Sequence, residues 1–154
     1  MIIPPSSRSL ALDVILEWAH GEAFAQDLIE RCATQHKLAH RDAALLQTLV
    51  FTVLRNVSLL DCWLDELCDN KRLETRVHWI LRLGAAQLLL LDMAPHAAVN
   101  ETVELAHGKP RSLVNAVLRR ADREKARLLT LATKLPLHER CSHPEWLVDR
   151  WRKQ

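Results

Sequence analysis

The stretch from Glu74 to Leu91 constrains the fold of this chain more than any other part of the sequence. Its apolar residues predict a helix with a main apolar stripe along one face. Leu83, Leu89 and Leu90 lie outside that stripe, so the predicted helix is apolar almost all round. A helix of this kind needs partners packed around it, which favours a helical bundle with this element at its centre. The stripe itself follows the three-and-four spacing of a buried helical face and consists of Val77, Ile80, Leu81, Gly84, Leu88 and Leu91.

Gly84 lies inside this predicted helix, where a glycine lowers helix stability. Because glycine has no Cβ atom, it allows a second helix to approach closely. We therefore expect a close helix crossing at Gly84.

The rest of the chain shows helical spacing between clear helix breaks, and no strand-like alternation of useful length occurs. Only three of the 154 residues are glycine and tyrosine is absent, which favours helices over strands. We expect an all-α bundle of seven to nine helices, with Phe24 and Leu113 on inner faces and Ser58 as the cap of the fourth helix. The predicted helices begin near residues 7, 23, 41, 58, 74, 97, 110, 123 and 145.

Basic residues are concentrated between Lys109 and Arg127, where only Asp122 and Glu124 are acidic. Such a segment is compatible with a polyanionic partner and also with an ordinary solvated helix face. Charge alone favours the solvated face. The basic residues are Lys109, Arg111, Arg119, Arg120, Arg123, Lys125 and Arg127.

The sequence offers little for catalysis or for metal binding. It has no G-x-G-x-x-G and no P-loop, which excludes the usual nucleotide-phosphate cradles. His138, Cys141 and His143 could be drawn as a metal site, but three residues in a connector without a fourth ligand favour no metal. We expect no catalytic residue, no metal and no cofactor in this chain.

Cysteine usage and the N-terminal residues predict a cytoplasmic protein. The four cysteines form no CxxC and match no common disulfide framework, so we interpret them as reduced thiols. Pro4 to Ser7 stand where a signal peptide would need an apolar region, so we expect no signal peptide. The run from Leu88 to Leu91 is far too short to span a membrane.

Arginines at the ends of predicted helices are candidates for phosphate binding. Arg55 and Arg119 each follow a Val-Leu pair at a helix C-terminus, where a guanidinium can hold a phosphate or simply offset the helix dipole. Arg41 can pair with a phosphate or with an acid. Asn100 and Asn115 lie at the edges of apolar stripes, where we favour a structural role in satisfying backbone groups.

Six motifs occur in order between Ser7 and Ala121, and together they resemble the NusB-like RNA-binding domain. The segment from Ser142 to Val148 resembles the one that leads into the S-adenosylmethionine-dependent domain of bacterial small-subunit rRNA cytosine-5 methyltransferases. The six motifs are Arg8-x-x-Ala11, Arg41-Asp42-x-x-Leu45, Val53-Leu54-Arg55, Arg82-Leu83-Gly84-Ala85-x-Gln87-Leu88, Pro95-His96-Ala97-Ala98-Val99-Asn100-Glu101-x-Val103-Glu104-Leu105-Ala106 and Val114-Asn115-Ala116-Val117-Leu118-Arg119.

The resemblance implies an all-α fold of two subdomains. It divides the chain into an arm (1–7), a NusB-like RNA-binding domain (8–135) and a connector with the start of a helix (136–154). No methyl-donor site and no Pro-Cys nucleophile motif are present in the sequence. We therefore expect an excised domain or a truncated relative that does not methylate RNA by itself, with S-adenosylmethionine binding a further domain.

The function implied by the resemblance is to dock small-subunit rRNA for the methyltransferase. The alternative is transcription antitermination, in which RNA is bound together with a ribosomal protein. RNA and either a ribosomal protein or a methyltransferase domain are thus the expected partners, and no membrane is expected. Because Arg8 is the only arginine near the N-terminus, we expect RNA affinity to depend more on the later cations. The predicted RNA-binding residues are Arg8, Arg41, Arg55, Lys109, Arg111, Arg119, Arg120 and Arg123.

Overall fold

The computed structural model describes residues 4–136, and all regular structure in that part of the chain is helical. This confirms the all-α class, and the helix boundaries differ from the predicted ones by a few residues at most. The helix predicted near residue 145 and the candidate metal ligands lie outside the described residues. The elements are α1 (Ser7–His20), α2 (Ala25–Gln35), α3 (His40–Arg55), α4 (Val57–Leu67), α5 (Thr75–Ala85), a π-helical segment (Ala86–Leu90), α6 (Pro95–Val103), α7 (Pro110–Arg123) and α8 (Lys125–Thr133).

The predicted central helix is confirmed as α5 together with the π-helical segment. Nearly every residue from Val77 to Leu89 is buried, with only His78 and Arg82 partly exposed. The wider spacing of the π-helical segment is seen where the Leu91 amide donates to the Ala86 carbonyl at 3.0 Å. The helices α1, α3, α4, α6 and α7 all pack on this element.

The close crossing expected at Gly84 is confirmed, and the helix that crosses there is α7. A Cβ atom on Gly84 would lie 2.6 Å from both Cδ atoms of Leu118. The absent side chain therefore makes room for the buried Leu118 side chain, and this contact fixes how α7 lies on α5.

The helices pack as two groups. The first three pack mainly on one another, and the later helices pack around α5. Trp18 on α1 and Trp79 on α5 join the groups edge to face, with ring centroids 6.5 Å apart. At the other end, Trp63 Nε1 on α4 donates to the Leu128 carbonyl at 2.8 Å and thereby holds α8.

Three details of the sequence prediction are wrong. Phe24 is 77% exposed, because it precedes α2 in extended backbone and does not share the helical stripe. Leu113 is 41% exposed, because it lies at the edge of the buried face of α7. The cap position of α4 belongs to Asn56 rather than Ser58, and its side-chain amide donates back to the Thr52 carbonyl at 2.8 Å.

Candidate nucleic-acid interface

A short turn joins α6 to α7 and places the two helices side by side. Both helices begin with a proline, Pro95 and Pro110, whose fixed φ suits the first helical position. Gly108 in the turn has φ of 73°, a conformation that glycine adopts without strain. The Arg111 amide donates back to the Gly108 carbonyl at 3.2 Å and closes the turn.

An open groove of about 550 Å³ runs between α6 and α7. Arg111 Nη2 donates to Glu104 Oε1 at 2.5 Å across the groove. On α7, Arg119 Nε donates to Asn115 Oδ1 at 3.0 Å. The groove therefore presents amide, hydroxyl, guanidinium and carboxylate groups to solvent. Its lining consists of Asn100, Val103, Glu104, Gly108, Arg111, Ser112 and Asn115.

Arg111, Asn115, Arg119 and Arg123 follow one another at intervals of four on α7 and therefore form one stripe, in which the three arginines are exposed and Asn115 is partly exposed. Within residues 4–136, the side chains of Arg119, Arg123 and Lys109 form no salt bridge. We call Arg111, Asn115, Arg119 and Arg123, together with Lys109 at the N-cap of α7, the α7 stripe. Three of its four cations are thus free to meet an external anion.

Arg120 faces the other flank of α7 and is used within the fold. Its Nη1 donates to the Leu67 carbonyl at the C-terminus of α4 at 2.9 Å, and its Nε donates to Glu124 at 2.5 Å. Hydrogen bonds from Arg120, and then from Arg127, lower the pKa of the Glu124 carboxyl. A cation at this position offsets the carbonyl end of the α4 dipole.

Arg8 lies in a polar network between α1, the π-helical segment and α6. Its Nε donates to Gln87 Oε1 at 2.5 Å, and its guanidinium also pairs with Glu101. Gln87, which is fully buried, donates in turn to Thr102 Oγ1 at 2.9 Å. Burial lowers the pKa of Arg8, whose side chain is only 14% exposed.

Arg41 and Arg55 lie on α3, away from the α7 stripe. Arg41 is exposed at the start of α3, near the point where Ser7 Oγ donates to the Asp42 carbonyl at 3.2 Å. The Arg55 guanidinium lies over the Phe51 ring, 4.8 Å from its centroid. Of the eight predicted residues, the fold thus brings together Lys109, Arg111, Arg119 and Arg123.

The sequence analysis assigned Asn100 and Asn115 a structural role and did not consider Ser112, and the structure places all three in the groove lining. Asn100 Nδ2 lies 3.1 Å from His96 Nε2, so this amide meets another side chain rather than loop backbone. A signal was present, because His96, Asn100 and Glu104 follow the same interval of four on α6 that the stripe follows on α7.

The described residues offer neither a metal-binding cluster nor a single membrane-spanning helix. Residues 4–136 contain no group of three or more His, Cys, Asp or Glu side chains that could hold a metal ion. In the same range, no single helix is long and apolar enough to cross a membrane. The α3–α4 pair, which is bent by 76°, would be long and apolar enough if both helices were counted together.

Comparison with known proteins gave consistent matches. A model of the NusB family matches residues 5–123. The ribosomal RNA small subunit methyltransferase B of Pasteurella multocida (strain Pm70) is 36% identical over 151 residues, which cover 94% of this chain and 33% of the relative. The protein of the same name from Escherichia coli O139:H28 (strain E24377A / ETEC) is 38% identical over 125 residues, covering 77% of this chain and 29% of the relative. The chain therefore spans about a third of the length of these relatives.

Proposed function

Since this chain belongs to the NusB family, we propose that it is an RNA-binding domain that docks small-subunit rRNA for a cytosine-5 methyltransferase. The observation that carries the proposal is the α7 stripe, in which three cations form no salt bridge within residues 4–136, on a helix that also lines a mainly polar groove. We further propose that the whole protein acts in the cytoplasm and uses S-adenosylmethionine in a part beyond this domain.

The chemistry of the stripe suits single-stranded RNA. Arg119 and Arg123 can each donate two parallel hydrogen bonds to a phosphate, and Lys109 adds a compact charge at the start of α7. Asn100 and Asn115 carry amides that can both donate to and accept from an unpaired base edge. Phosphate contacts would thus set the position of the RNA strand, and the groove amides would recognise its bases.

The relatives favour rRNA as the target, because both of those described above are named as small-subunit rRNA methyltransferases. In such an arrangement, a domain without reactive groups adds affinity by bringing the target RNA close to the reactive site. The stripe would then supply binding energy rather than chemistry.

The experiment compares the Arg119→Ala and Arg123→Ala variants with the parent chain in binding a single-stranded oligonucleotide from small-subunit rRNA. We expect each variant to bind about tenfold more weakly, because one phosphate contact is lost. Arg31→Ala is the matched control, since Arg31 is an exposed arginine on α2 that pairs with Glu17. Equal losses in all three variants, or no loss in any, would contradict the assignment of the stripe.

Antitermination with a ribosomal protein is the second function that the NusB family offers. A pull-down with a small-subunit ribosomal protein in the absence of RNA distinguishes the two functions. Docking of rRNA alone predicts no complex at micromolar concentration, whereas the antitermination function requires one.

A further inference from the structure

A second surface lies on the opposite flank of α7 from the stripe. It is an apolar pocket of about 280 Å³ between α7 and the segment that follows α4. We call it the α4–α7 pocket. Leu113 is in its lining and is 41% exposed, so its apolar side chain is accessible to a partner. The pocket is lined by Leu67, Cys68, Asp69, Lys71, Arg72, Leu73, Leu113, Ala116, Val117 and Arg120.

The charged groups around the α4–α7 pocket are mostly basic. Lys71 and Arg72 form no salt bridge with any residue in the described part of the chain, and Arg120 is held by Leu67 and Glu124. Asp69 is the acidic residue in the lining. The lining thus has three cations against one carboxylate, and two of the cations are free to meet an external acid.

The size and chemistry of the pocket point to an apolar side chain as its occupant. Its volume lies just below the roughly 300–1,000 Å³ of typical small-molecule sites. None of its described lining residues is aromatic, whereas proteins that hold unpaired bases usually stack them on aromatic rings. An aliphatic floor with a basic rim therefore fits a protein segment better than RNA.

We propose that the α4–α7 pocket docks an acidic amphipathic helix of a partner protein. A leucine or phenylalanine of the helix enters between Leu113 and Leu73, and carboxylates beside it pair with Lys71 and Arg72. The described residues form no strand, so no sheet edge is offered, and a helix in a groove is the mode that this surface fits. We expect this interaction to be separable from RNA binding at Arg119, because Leu113 and Arg119 lie on different flanks of α7.

The test uses the full chain and a fluorescent helical peptide with leucines at i, i+3, i+4 and i+7 and glutamates at most other positions. Binding is measured by anisotropy, beside a peptide with lysines in place of the glutamates and a scrambled peptide of the same composition. We expect saturable binding of the acidic helix, with the lysine and scrambled peptides at least tenfold weaker.

Leu113→Glu and the double variant Lys71→Glu/Arg72→Glu should each weaken binding of the acidic peptide at least tenfold and leave RNA affinity unchanged. The matched control is Leu129→Glu on α8, because Leu129 is 38% exposed and lies outside the pocket lining. Since both leucines are already exposed, thermal unfolding should confirm that both variants fold.

Three outcomes would overturn the proposal. One is equal binding of the acidic and lysine peptides, or no binding of either. The second is an equal effect of Leu113→Glu and Leu129→Glu. The third is a different occupant, shown either by RNA that displaces the peptide or by self-association that Phe24→Ala abolishes, since Phe24 is the most exposed large apolar side chain described here.

Discussion

Asp61 on α4 lies within hydrogen-bond distance of two side chains of α5, Arg82 and His78. Arg82 donates to both carboxylate oxygens at 2.8 Å, and His78 Nε2 lies 2.9 Å from Oδ1. Burial by itself raises the pKa of Asp61, but the hydrogen bonds from His78 and Arg82 outweigh it and hold the pKa below its ordinary value. The Arg82 guanidinium also lies 4.2 Å from the centroid of the Trp79 ring, so this cluster fixes α4 against α5.

This cluster predicts a specific loss of stability in acid. Because the pKa of Asp61 is lowered in the folded state, its contribution is present above the unfolded pKa of about 4 and is lost as the pH falls through the folded value. Asp61→Asn should lower the free energy of unfolding by about 1–3 kcal/mol at pH 6 and by less at pH 3, as measured by urea unfolding. A cost that is the same at both pH values would contradict the ionised pair.

Arg8 illustrates how a residue of a shared motif can serve the fold. Arg8→Ala would leave Gln87 Oε1 without its donor inside the core, so we expect a loss of about 1–3 kcal/mol in the free energy of unfolding. Arg8→Lys keeps a charge near Glu101 but cannot reproduce the forked contacts of the guanidinium. Its free energy of unfolding should therefore lie between those of the parent chain and Arg8→Ala. If Arg8→Ala instead weakens RNA binding with stability unchanged, Arg8 acts at the RNA surface.

At the scale of elements, the contact of Gly84 with Leu118 sets the crossing of α5 and α7. Gly84→Ala should lower the free energy of unfolding by about 1–3 kcal/mol through overpacking. The higher helix propensity of alanine should offset up to about 1 kcal/mol of this loss. Leu118→Ala should cost about 2–5 kcal/mol by itself. In the double variant the new methyl group enters the vacated space. The loss in the free energy of unfolding should therefore be smaller than the sum of the two single losses by at least about 1 kcal/mol.

A double-mutant cycle by urea unfolding measures this coupling. Leu128→Ala serves as the control partner for Gly84→Ala, because Leu128 is fully buried on α8 and the three atoms nearest to the position of a Gly84 Cβ all belong to Leu118. Additive costs in the Gly84–Leu118 cycle would mean that the crossing is not tight at this position.

Helix positions and the central role of α5 could be predicted from the sequence, because apolar spacing and proline or glycine breaks are local signals. Gly84 could be predicted as a crossing point but its partner could not, since the contact with Leu118 spans two helices. The same limit applies to the arginines. Arg119 and Arg120 are neighbours with the same composition around them, and only the packed position of α4 shows that Arg120 meets Leu67 while Arg119 faces solvent.

At the scale of the whole molecule, internal pairing decides how much charge is left for a partner. The net charge is only +2, but it is unevenly distributed, because many arginines on the surface are paired with acids of the same fold. The α7 stripe and the rim of the α4–α7 pocket carry unpaired cations on opposite flanks of one helix. Under the two proposals above, one domain would offer separate surfaces to a nucleic acid and to a protein.

This distribution predicts the salt dependence of RNA binding. If Lys109, Arg119 and Arg123 are the cations that neutralise phosphates, three contacts at about −0.7 each give a slope of about −2 for log K against log salt concentration with single-stranded RNA. The double variant Arg119→Ala/Arg123→Ala should reduce the slope to about −0.7, whereas Arg31→Ala should not change it. Titrations between 50 and 200 mM salt span the range in which such slopes are commonly measured. A slope steeper than about −4 in the parent chain would require further cations, with Arg41 and Arg55 on α3 as the next candidates, and RNA would then contact more of the surface than α7 presents.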